Sequence, residues 1–261
     1  MKKGKYSGFK GFPKMYFFGV KKPLWNNMPH HILVIEKLGP DLGQLFYRYR
    51  KEYKTYKFST KTVLMLAEQF LKRIKLLHEV GGYIHRDIKP ENFLMGLGKY
   101  KTTVYMADFG LSRKNKEIYN DKKGYIQGTP IYASINTHLG ISQSRRDDME
   151  SIGYVLMLFQ SGTLPWLFAR DDKNHKNDWY IIRDIKKQTT VENVCQGCYK
   201  EFHMYLHYCR GLRFDERPDY GYLMKLFREL FYRLGYKYDW RFDWTVESSE
   251  QHRPEYFSYR V

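Results

Sequence analysis

The apolar residues of this chain follow a strand-like pattern near the start and a helical pattern later. Two short apolar runs, at 15–18 and 32–35, predict a pair of strands, because turn-forming residues at 22–31 lie between them. Gly39-Pro40 then breaks the pattern and is suited to a hinge. The sequence therefore predicts a small stranded region at 1–38.

From Thr60 onward the spacing becomes helical, and Gly81-Gly82 supply the stop signal of the first long helix. The apolar residues that share one face of this helix are Val63, Leu66, Ala67, Phe70, Leu71, Ile74 and Leu77. Short strands are predicted at 93–95 and 103–106, and further helices at 148–160, 181–187, 199–210 and 220–234. We expect an α+β fold whose mostly helical body covers 39–246, followed by an aperiodic tail at 247–261.

The composition is strongly basic and rich in tyrosine. Lys and Arg number 45 against 28 Asp and Glu, a formal net charge of +17, and there are 24 Tyr. Such a charge favours anionic partners, although solvated surface side chains account for it equally well. The aromatic content indicates a folded chain rather than a disordered one.

Cysteine usage and hydropathy favour an intracellular protein. Three cysteines, an odd and sparse set, argue against a disulfide framework and for a reducing compartment. The most apolar stretch, 153–159, is too short to cross a bilayer, and lysines interrupt every candidate signal segment. We expect a cytoplasmic or nuclear protein, monomeric and without a membrane partner.

The cysteines also raise the possibility of a metal site. Cys195, Cys198 and Cys209 lie near His203 and His207 in sequence, and all five are residue types that bind zinc. Packing roles for the cysteines are the other interpretation, and the one that we favour.

The run His-Arg-Asp-Ile-Lys-Pro-Glu-Asn at 85–92, followed by Asp108-Phe109-Gly110, carries the clearest chemistry. Asp87 can accept the proton of a hydroxyl, and Lys89 can neutralise charge on a phosphoryl group in transfer. Asn92 and Asp108 offer the oxygen ligands that Mg²⁺ prefers. The pattern predicts the catalytic floor of a phosphoryl-transfer site.

Two neighbours in this run have supporting roles in our interpretation. His85 is expected to pack and brace the loop rather than to take part in the chemistry. Arg86 is expected to pair with an anionic group on the segment after Gly110.

Longer motifs carry a resemblance to one family. They are GTPIYASINTHLG at 128–140, QSRRDDMES at 143–151 and Leu164-Pro165-Trp166. With these motifs, the chain resembles the casein kinase I family of serine/threonine protein kinases over about residues 8–244. Most protein kinases carry Ala-Pro-Glu where this family carries Ser-Ile-Asn, here at 134–136.

The resemblance implies a protein kinase-like fold that binds ATP and Mg²⁺ and phosphorylates Ser and Thr of proteins, often acidic or already phosphorylated ones. It implies that Ile35 lines the back of the adenine pocket and that Leu94 forms its floor. Glu36 and Leu38 would offer backbone contacts to adenine, and Asp148 would brace the catalytic loop. No nucleic-acid partner is expected.

The chain departs from the family pattern at its front. Gly4, Gly8 and Gly11 do not form the Gly-rich loop that covers the phosphates, and Lys21 does not match the strand lysine. We therefore expect a truncated small β lobe whose strands expose an edge and an apolar face. Either an incomplete gene model or a catalytically impaired pseudokinase, acting as a binding or scaffold module, is consistent with this.

The second departure is Ile131, at a position where the family usually has an anion-binding Arg. The preference for phosphorylated substrates is therefore open. Arg145, Arg146 and Lys176 are the nearby basic residues, and local ion pairs would explain them equally well.

Overall fold

The computed structural model describes residues 10–22, 28–115, 126–169 and 178–245. Lys176, Gly4, Gly8 and the tail at 247–261 lie outside these ranges. The strands are β1 Met15–Lys21, β2 His30–Ile35, β3 Tyr83–Ile84, β4 Phe93–Met95, β5 Val104–Met106 and β6 Arg113–Lys114. The helices are α1 Leu42–Tyr53, α2 Thr60–Lys75, α3 Ile135–His138, α4 Arg145–Ser161, α5 Asp178–Gln188, α6 Val191–Val194, α7 Lys200–Gly211 and α8 Tyr220–Arg233.

The first two strands form the predicted antiparallel hairpin, in which Phe18 lies opposite Leu33. Among the described residues each of the two strands has one partner only. Seven large apolar side chains of the hairpin are exposed: Tyr16, Phe17, Phe18, Val20, Leu33, Val34 and Ile35. The expected exposure of an apolar face is therefore confirmed for this part of the chain.

Backbone hydrogen bonds tie the segment after the hairpin to strand β4. The Gly39 N–H donates to the Met95 carbonyl at 2.8 Å, and the Met95 N–H donates to the Pro40 carbonyl at 3.0 Å. The segment before the hairpin is tied to β5, because the Met106 N–H donates to the Gly11 carbonyl at 2.9 Å. Both ends of the hairpin are thus fixed on the helical body.

Gly11 is required where it stands. Its φ is +94°, a region that residues with a side chain rarely adopt, and a Cβ here would lie 1.7 Å from Arg73 Nε. Arg73 itself is buried and donates from Nε to the Val104 carbonyl at 2.9 Å. The next residue, Phe12, is buried in the core and stacks on Phe109 with ring centroids 5.9 Å apart.

The core of the helical body is built around α2 and α4. Helix α2 begins where Ser59 caps the Thr62 N–H, and most of its residues are buried. A π-helical turn, Leu76–Gly81, continues it to Gly82, whose φ of +72° ends the helix as the Gly-Gly signal predicts. Helix α4 is buried almost throughout and contacts α2 and α7.

The predicted helices are all present, with α4 starting three residues earlier than expected, where the Asp147 carboxylate accepts from the Ser144 N–H at 2.6 Å. Helices α1, α3 and α6 were not predicted. No helix among the described residues is long and apolar enough to cross a membrane.

The cysteines have packing environments. Cys195 and Cys209 are buried, Cys198 is half-buried, and all three are free thiols. Cys195 Sγ lies 3.7 Å from Met157 Sδ, and His207 contacts Glu192. Within the described ranges, no three His, Cys, Asp or Glu residues form a group that could hold a metal ion.

Candidate active site

Asp148, inside the buried helix α4, holds the loop that carries the His-Arg-Asp motif. Its Oδ2 accepts from the His85 N–H at 2.7 Å and contacts His78 Nε2 at 2.8 Å, and its Oδ1 accepts from the Arg86 N–H at 2.8 Å. Burial alone would raise the pKa of Asp148, but His78 and His85 lower it below the ordinary value. A carboxylate from the core therefore fixes the backbone just before Asp87.

Arg86 has a left-handed backbone, with φ of 71°. At this turn the N–H groups of His85 and Arg86 both donate to Asp148. Its Nε donates to the Leu111 carbonyl at 2.6 Å. The guanidinium thus reaches the segment after Gly110, as expected. The prediction of an anionic partner is wrong for this contact, because the acceptor is a main-chain carbonyl. The contact joins the catalytic loop to the Asp-Phe-Gly segment.

His85 braces the same loop from inside the core, where it is fully buried. The Asp87 N–H donates to its Nδ1 at 3.3 Å, which leaves the ring proton on Nε2 to be donated to the Ala107 carbonyl at 3.0 Å. Its ring also contacts Phe109, with centroids 5.4 Å apart. The packing role predicted for His85 is confirmed.

The Asp87 carboxylate is buried among three polar side chains. Thr129 Oγ1 donates to Oδ1 at 2.7 Å, and Lys89 Nζ lies 2.9 Å from Oδ2. Asn92 Nδ2 donates to the Asp87 carbonyl at 2.8 Å and weakly to Oδ2 at 3.4 Å. The structure therefore brings Asp87, Lys89 and Asn92 together, as the motif predicts.

Lys89 is a cation among acidic groups. Burial opposes its charge, but the hydrogen bond to Asp87 and the nearby carboxylates of Glu91 and Asp108 outweigh burial and raise its pKa. Lys89 is therefore charged at neutral pH. A charged Lys89 beside Asp87 is what the role predicted for it from the sequence requires.

Asn92 and Asp108 come from adjacent segments, because the Ala107 N–H donates to the Asn92 carbonyl at 3.0 Å. Among the described residues, both hydrogen bonds of the Asn92 side chain use its NH₂ group, so Oδ1 is left as an acceptor for a ligand. The exposed Asp108 carboxylate accepts one bond from the Gly110 N–H. An amide oxygen and a carboxylate fit the preference of Mg²⁺ for hard oxygen ligands.

The residues that the resemblance assigns to adenine lie just before the hinge Gly39-Pro40 and on strand β4, to which the hinge is hydrogen-bonded. Ile35 ends β2 and is 41% exposed, and the Glu36 N–H donates to the Lys14 carbonyl at 2.7 Å. Leu38 precedes Gly39, whose N–H donates to the carbonyl of Met95, the residue after Leu94. The hinge hydrogen bonds therefore bring Leu38 and Leu94 to the same edge, whereas Ile35 faces solvent in this structure.

Two further residues act near the site and had no role assigned from the sequence. Thr129 contacts the Asp87 carboxylate, and Lys186 lies fully buried below the loop that follows Thr129. Thr129 lies within the motif at 128–140, and its place in that motif is the sequence signal that could have identified it. Lys186 looks like any surface lysine of an amphipathic helix, so the sequence gave no signal for it.

The basic residues proposed near Ile131 are engaged locally. Arg145 Nη2 donates to the Asp215 carbonyl at 2.6 Å, and the Arg146 guanidinium lies over the Phe214 ring at 5.6 Å. These contacts favour a structural role for both arginines.

The comparison with protein families agrees with this geometry. The model of the protein kinase domain family matches residues 22–220, more than half of the chain. The chain therefore belongs to the protein kinase family. Its sheet-containing start and mostly helical remainder, together with the braced catalytic loop, are those of a protein kinase domain.

Proposed function

We propose that this protein is a serine/threonine kinase of the casein kinase I type, which transfers the γ-phosphate of ATP to Ser and Thr hydroxyls of proteins. The observation that carries the proposal is the environment of Asp87, whose carboxylate lies 2.7 Å from a threonine hydroxyl and 2.9 Å from the Lys89 ammonium. A carboxylate of this kind can orient a substrate hydroxyl and accept its proton.

The other side chains have separate tasks in this mechanism. Lys89 stabilises negative charge on the phosphoryl group as it moves. Asn92 and Asp108 would hold Mg²⁺, which supplies charge neutralisation to phosphate oxygens when bound. Glu36, Leu38, Ile35 and Leu94 would contact the adenine. The Asp148 carboxylate accepts from the His85 and Arg86 N–H groups and so keeps Asp87 in place, which reduces the cost of positioning the reactants.

The casein kinase I assignment is supported by the role of Ser134 in Ser-Ile-Asn. Its Oγ donates to Asp147 Oδ1 at 2.5 Å and accepts from the Thr137 N–H at 3.0 Å, so that it caps α3 and binds the start of α4. A short polar side chain is needed for both contacts. We propose acidic protein segments as substrates, in line with the formal charge of +17.

The test is phosphotransfer to casein by the wild-type protein and the Asp87→Asn variant. Loss of a general base lowers the rate by roughly 10²–10⁴-fold, so Asp87→Asn should be nearly inactive. Asp184→Asn makes the same change in an exposed side chain on α5 and should keep wild-type activity. Equal activity of wild type and Asp87→Asn would contradict the proposal.

A second candidate function is a catalytically impaired module that binds partners. The apolar residues exposed on the β1–β2 hairpin favour it, because such surfaces mark interaction sites. For such a module, the wild type and Asp87→Asn would bind partners equally and neither would transfer phosphate.

A further inference from the structure

One lysine lies inside the helical body, where lysines are rarely found. The side chain of Lys186, on helix α5, is fully buried. Its Nζ donates to the Pro130 carbonyl at 2.9 Å and to the Ala133 carbonyl at 2.5 Å. A buried amine needs acceptors for its N–H groups, and these two carbonyls replace the water that the amine has lost.

The two carbonyls belong to one short turn, residues 129–133. The N–H groups of Tyr132 and Ala133 both donate to the Thr129 carbonyl, at 3.0 and 2.9 Å. Lys186 therefore bridges two carbonyls of a turn that its own backbone already closes. The amine fixes this turn from the side of the core.

Two aromatic rings complete the surroundings of the amine. Nζ lies 4.6 Å from the Tyr154 ring centroid and 4.9 Å from the Trp166 ring centroid. Burial lowers the pKa of Lys186 well below its ordinary value, and the nearby Glu150 carboxylate opposes this effect. The ammonium and the neutral amine each have at least two N–H bonds, so either form can serve both carbonyls.

The first residue of the turn contacts the proposed catalytic aspartate. Thr129 Oγ1 donates to Asp87 Oδ1 at 2.7 Å. Directly before Thr129, Gly128 has φ of +105°, and a Cβ there would lie 2.6 Å from the Arg86 carbonyl oxygen. The turn thus packs closely against the backbone of the catalytic loop. A shift of the turn would therefore change the contact between Thr129 and Asp87.

Other side chains also contact the turn, each at one point. Trp166 Nε1 donates to the Ile131 carbonyl at 2.8 Å, and His138 Nε2 lies 3.0 Å from the Pro130 carbonyl. Within the described part of the chain, Lys186 is the side chain that joins two of the turn carbonyls. Its loss should loosen the turn at two points at once.

We propose that Lys186 is a positioning residue for phosphotransfer, which bridges the Pro130 and Ala133 carbonyls and thereby holds Thr129 against the Asp87 carboxylate. This inference rests on the proposed kinase function. A fixed Asp87 lowers the cost of orienting the substrate hydroxyl. The contribution of Lys186 should therefore appear in kcat more than in the KM for ATP.

The first test is a double-mutant cycle in kcat with Lys186→Met and Thr129→Val. Lys186→Met removes both N–H donors and should lower kcat at least about tenfold, with the KM for ATP changed by less than about threefold. Thr129→Val alone removes the donor to Asp87 and should also lower kcat. In the Lys186→Met background, Thr129→Val should lower kcat by less than about threefold further, because the contact is already lost.

Lys187→Met is the matched control, because Lys187 is the next residue of α5 and is exposed. It should keep the wild-type kcat. Two effects that simply multiply would overturn the proposal, as would a Thr129→Val variant with the wild-type kcat. Lys186→Arg keeps N–H donors in another geometry and replaces Lys186→Met in the cycle if that variant does not fold.

A measurement without catalysis separates this inference from the kinase function. Amide hydrogen exchange at Tyr132 and Ala133 should be at least about tenfold faster in Lys186→Met than in Lys187→Met, since these N–H groups close the turn. If exchange is faster but even the wild type transfers no phosphate, the bridge stands and the kinase function fails. Unchanged exchange at both amides would overturn the role of Lys186 whatever the activity.

Discussion

The catalytic loop and the β1–β2 hairpin differ in burial: most side chains of the loop are buried, whereas most apolar side chains of the hairpin are exposed. In the catalytic loop, His85 and Asp87 are buried, and the Asp148 carboxylate accepts from the His85 and Arg86 N–H groups. In the hairpin, the apolar side chains of two short strands remain exposed, and Tyr16 is 60% accessible. The helical body supports its own site, whereas the hairpin lacks cover on its apolar residues within the described chain.

Because the two regions differ in this way, the proposed catalytic contacts and the proposed adenine contacts depend on different parts of the fold. The proposed proton acceptance and phosphoryl stabilisation depend on Asp87 and Lys89, which lie on the helical body and contact each other. The proposed adenine contacts at Ile35 and Glu36 depend on the hairpin. Changes in the two regions should therefore have effects of very different size.

The largest effect is expected from Asp148→Ala. It removes the acceptor for the His85 and Arg86 N–H groups and leaves His78 without its carboxylate. Loss of one partner from a buried pair costs roughly 3–5 kcal/mol. Urea unfolding should show this loss of the free energy of unfolding, and phosphotransfer should fall at least about 100-fold in protein that remains folded.

Asp239→Ala provides the comparison, since Asp239 pairs with Lys61 at the surface. It should cost less than about 1 kcal/mol. A similar loss in both variants would show that the catalytic loop is not specially braced.

A smaller effect, with a pH signature, is expected from Glu68→Gln. Arg228, Lys72 and Tyr238 surround this carboxylate at 2.9, 2.6 and 2.6 Å and join α2 to the C-terminal part of the body. Burial opposes the charge, but these partners lower the pKa of Glu68 from 4.5 to about 2. Loss of its charged hydrogen bonds should cost roughly 2 kcal/mol at neutral pH.

The lowered pKa sets the direction of the pH dependence. The stabilisation by Glu68 is fully present above pH 4.5 and is lost as pH falls towards about 2. Chemical unfolding at several pH values should therefore show a smaller acid-induced loss of stability in Glu68→Gln than in wild type. Glu229→Gln, in an exposed pair with Lys225, is the matched control and should follow the wild-type curve.

The smallest effect on stability is expected in the hairpin. Leu33 is 57% exposed, so Leu33→Lys should change the free energy of unfolding by less than about 0.5 kcal/mol. Exposed apolar surfaces favour association at high concentration, so the added charge should weaken any such association of this chain. Sedimentation velocity at increasing concentration measures this, with Met204→Lys on α7 as the control. Stronger destabilisation than in Glu68→Gln would remove the contrast between the two regions.

The sequence predicted the long elements and the catalytic loop because their signals are local. Helix α2 and the π-helical turn after it have seven apolar residues on one face, and the motif around Asp87 has a fixed spacing. Helix α1 was missed although Asp41 caps it and Leu42, Leu45 and Phe46 face the core, since Gly43 and many charged residues mask the pattern. Helices α3 and α6, of four residues each, are too short to show periodicity.

The parts of the site that the sequence did not reveal depend on contacts between distant segments. Lys186 lies 53 and 56 positions from its carbonyl partners. No local pattern encodes such an arrangement. The unexpected acceptor of Arg86 has a similar origin, because a carbonyl partner leaves no trace in residue types.

The most direct test of the account is thermal unfolding with and without saturating Mg·ATP. The account predicts that this chain binds the nucleotide through Asn92 and Asp108 and that ligand at about 100 times its Kd stabilises the fold by roughly 2.7 kcal/mol. Tm should then rise by about 5 °C for a chain of this size. The rise should disappear without Mg²⁺ and shrink in Asp108→Asn. An unchanged Tm of the wild-type protein in saturating Mg·ATP would contradict the central claim.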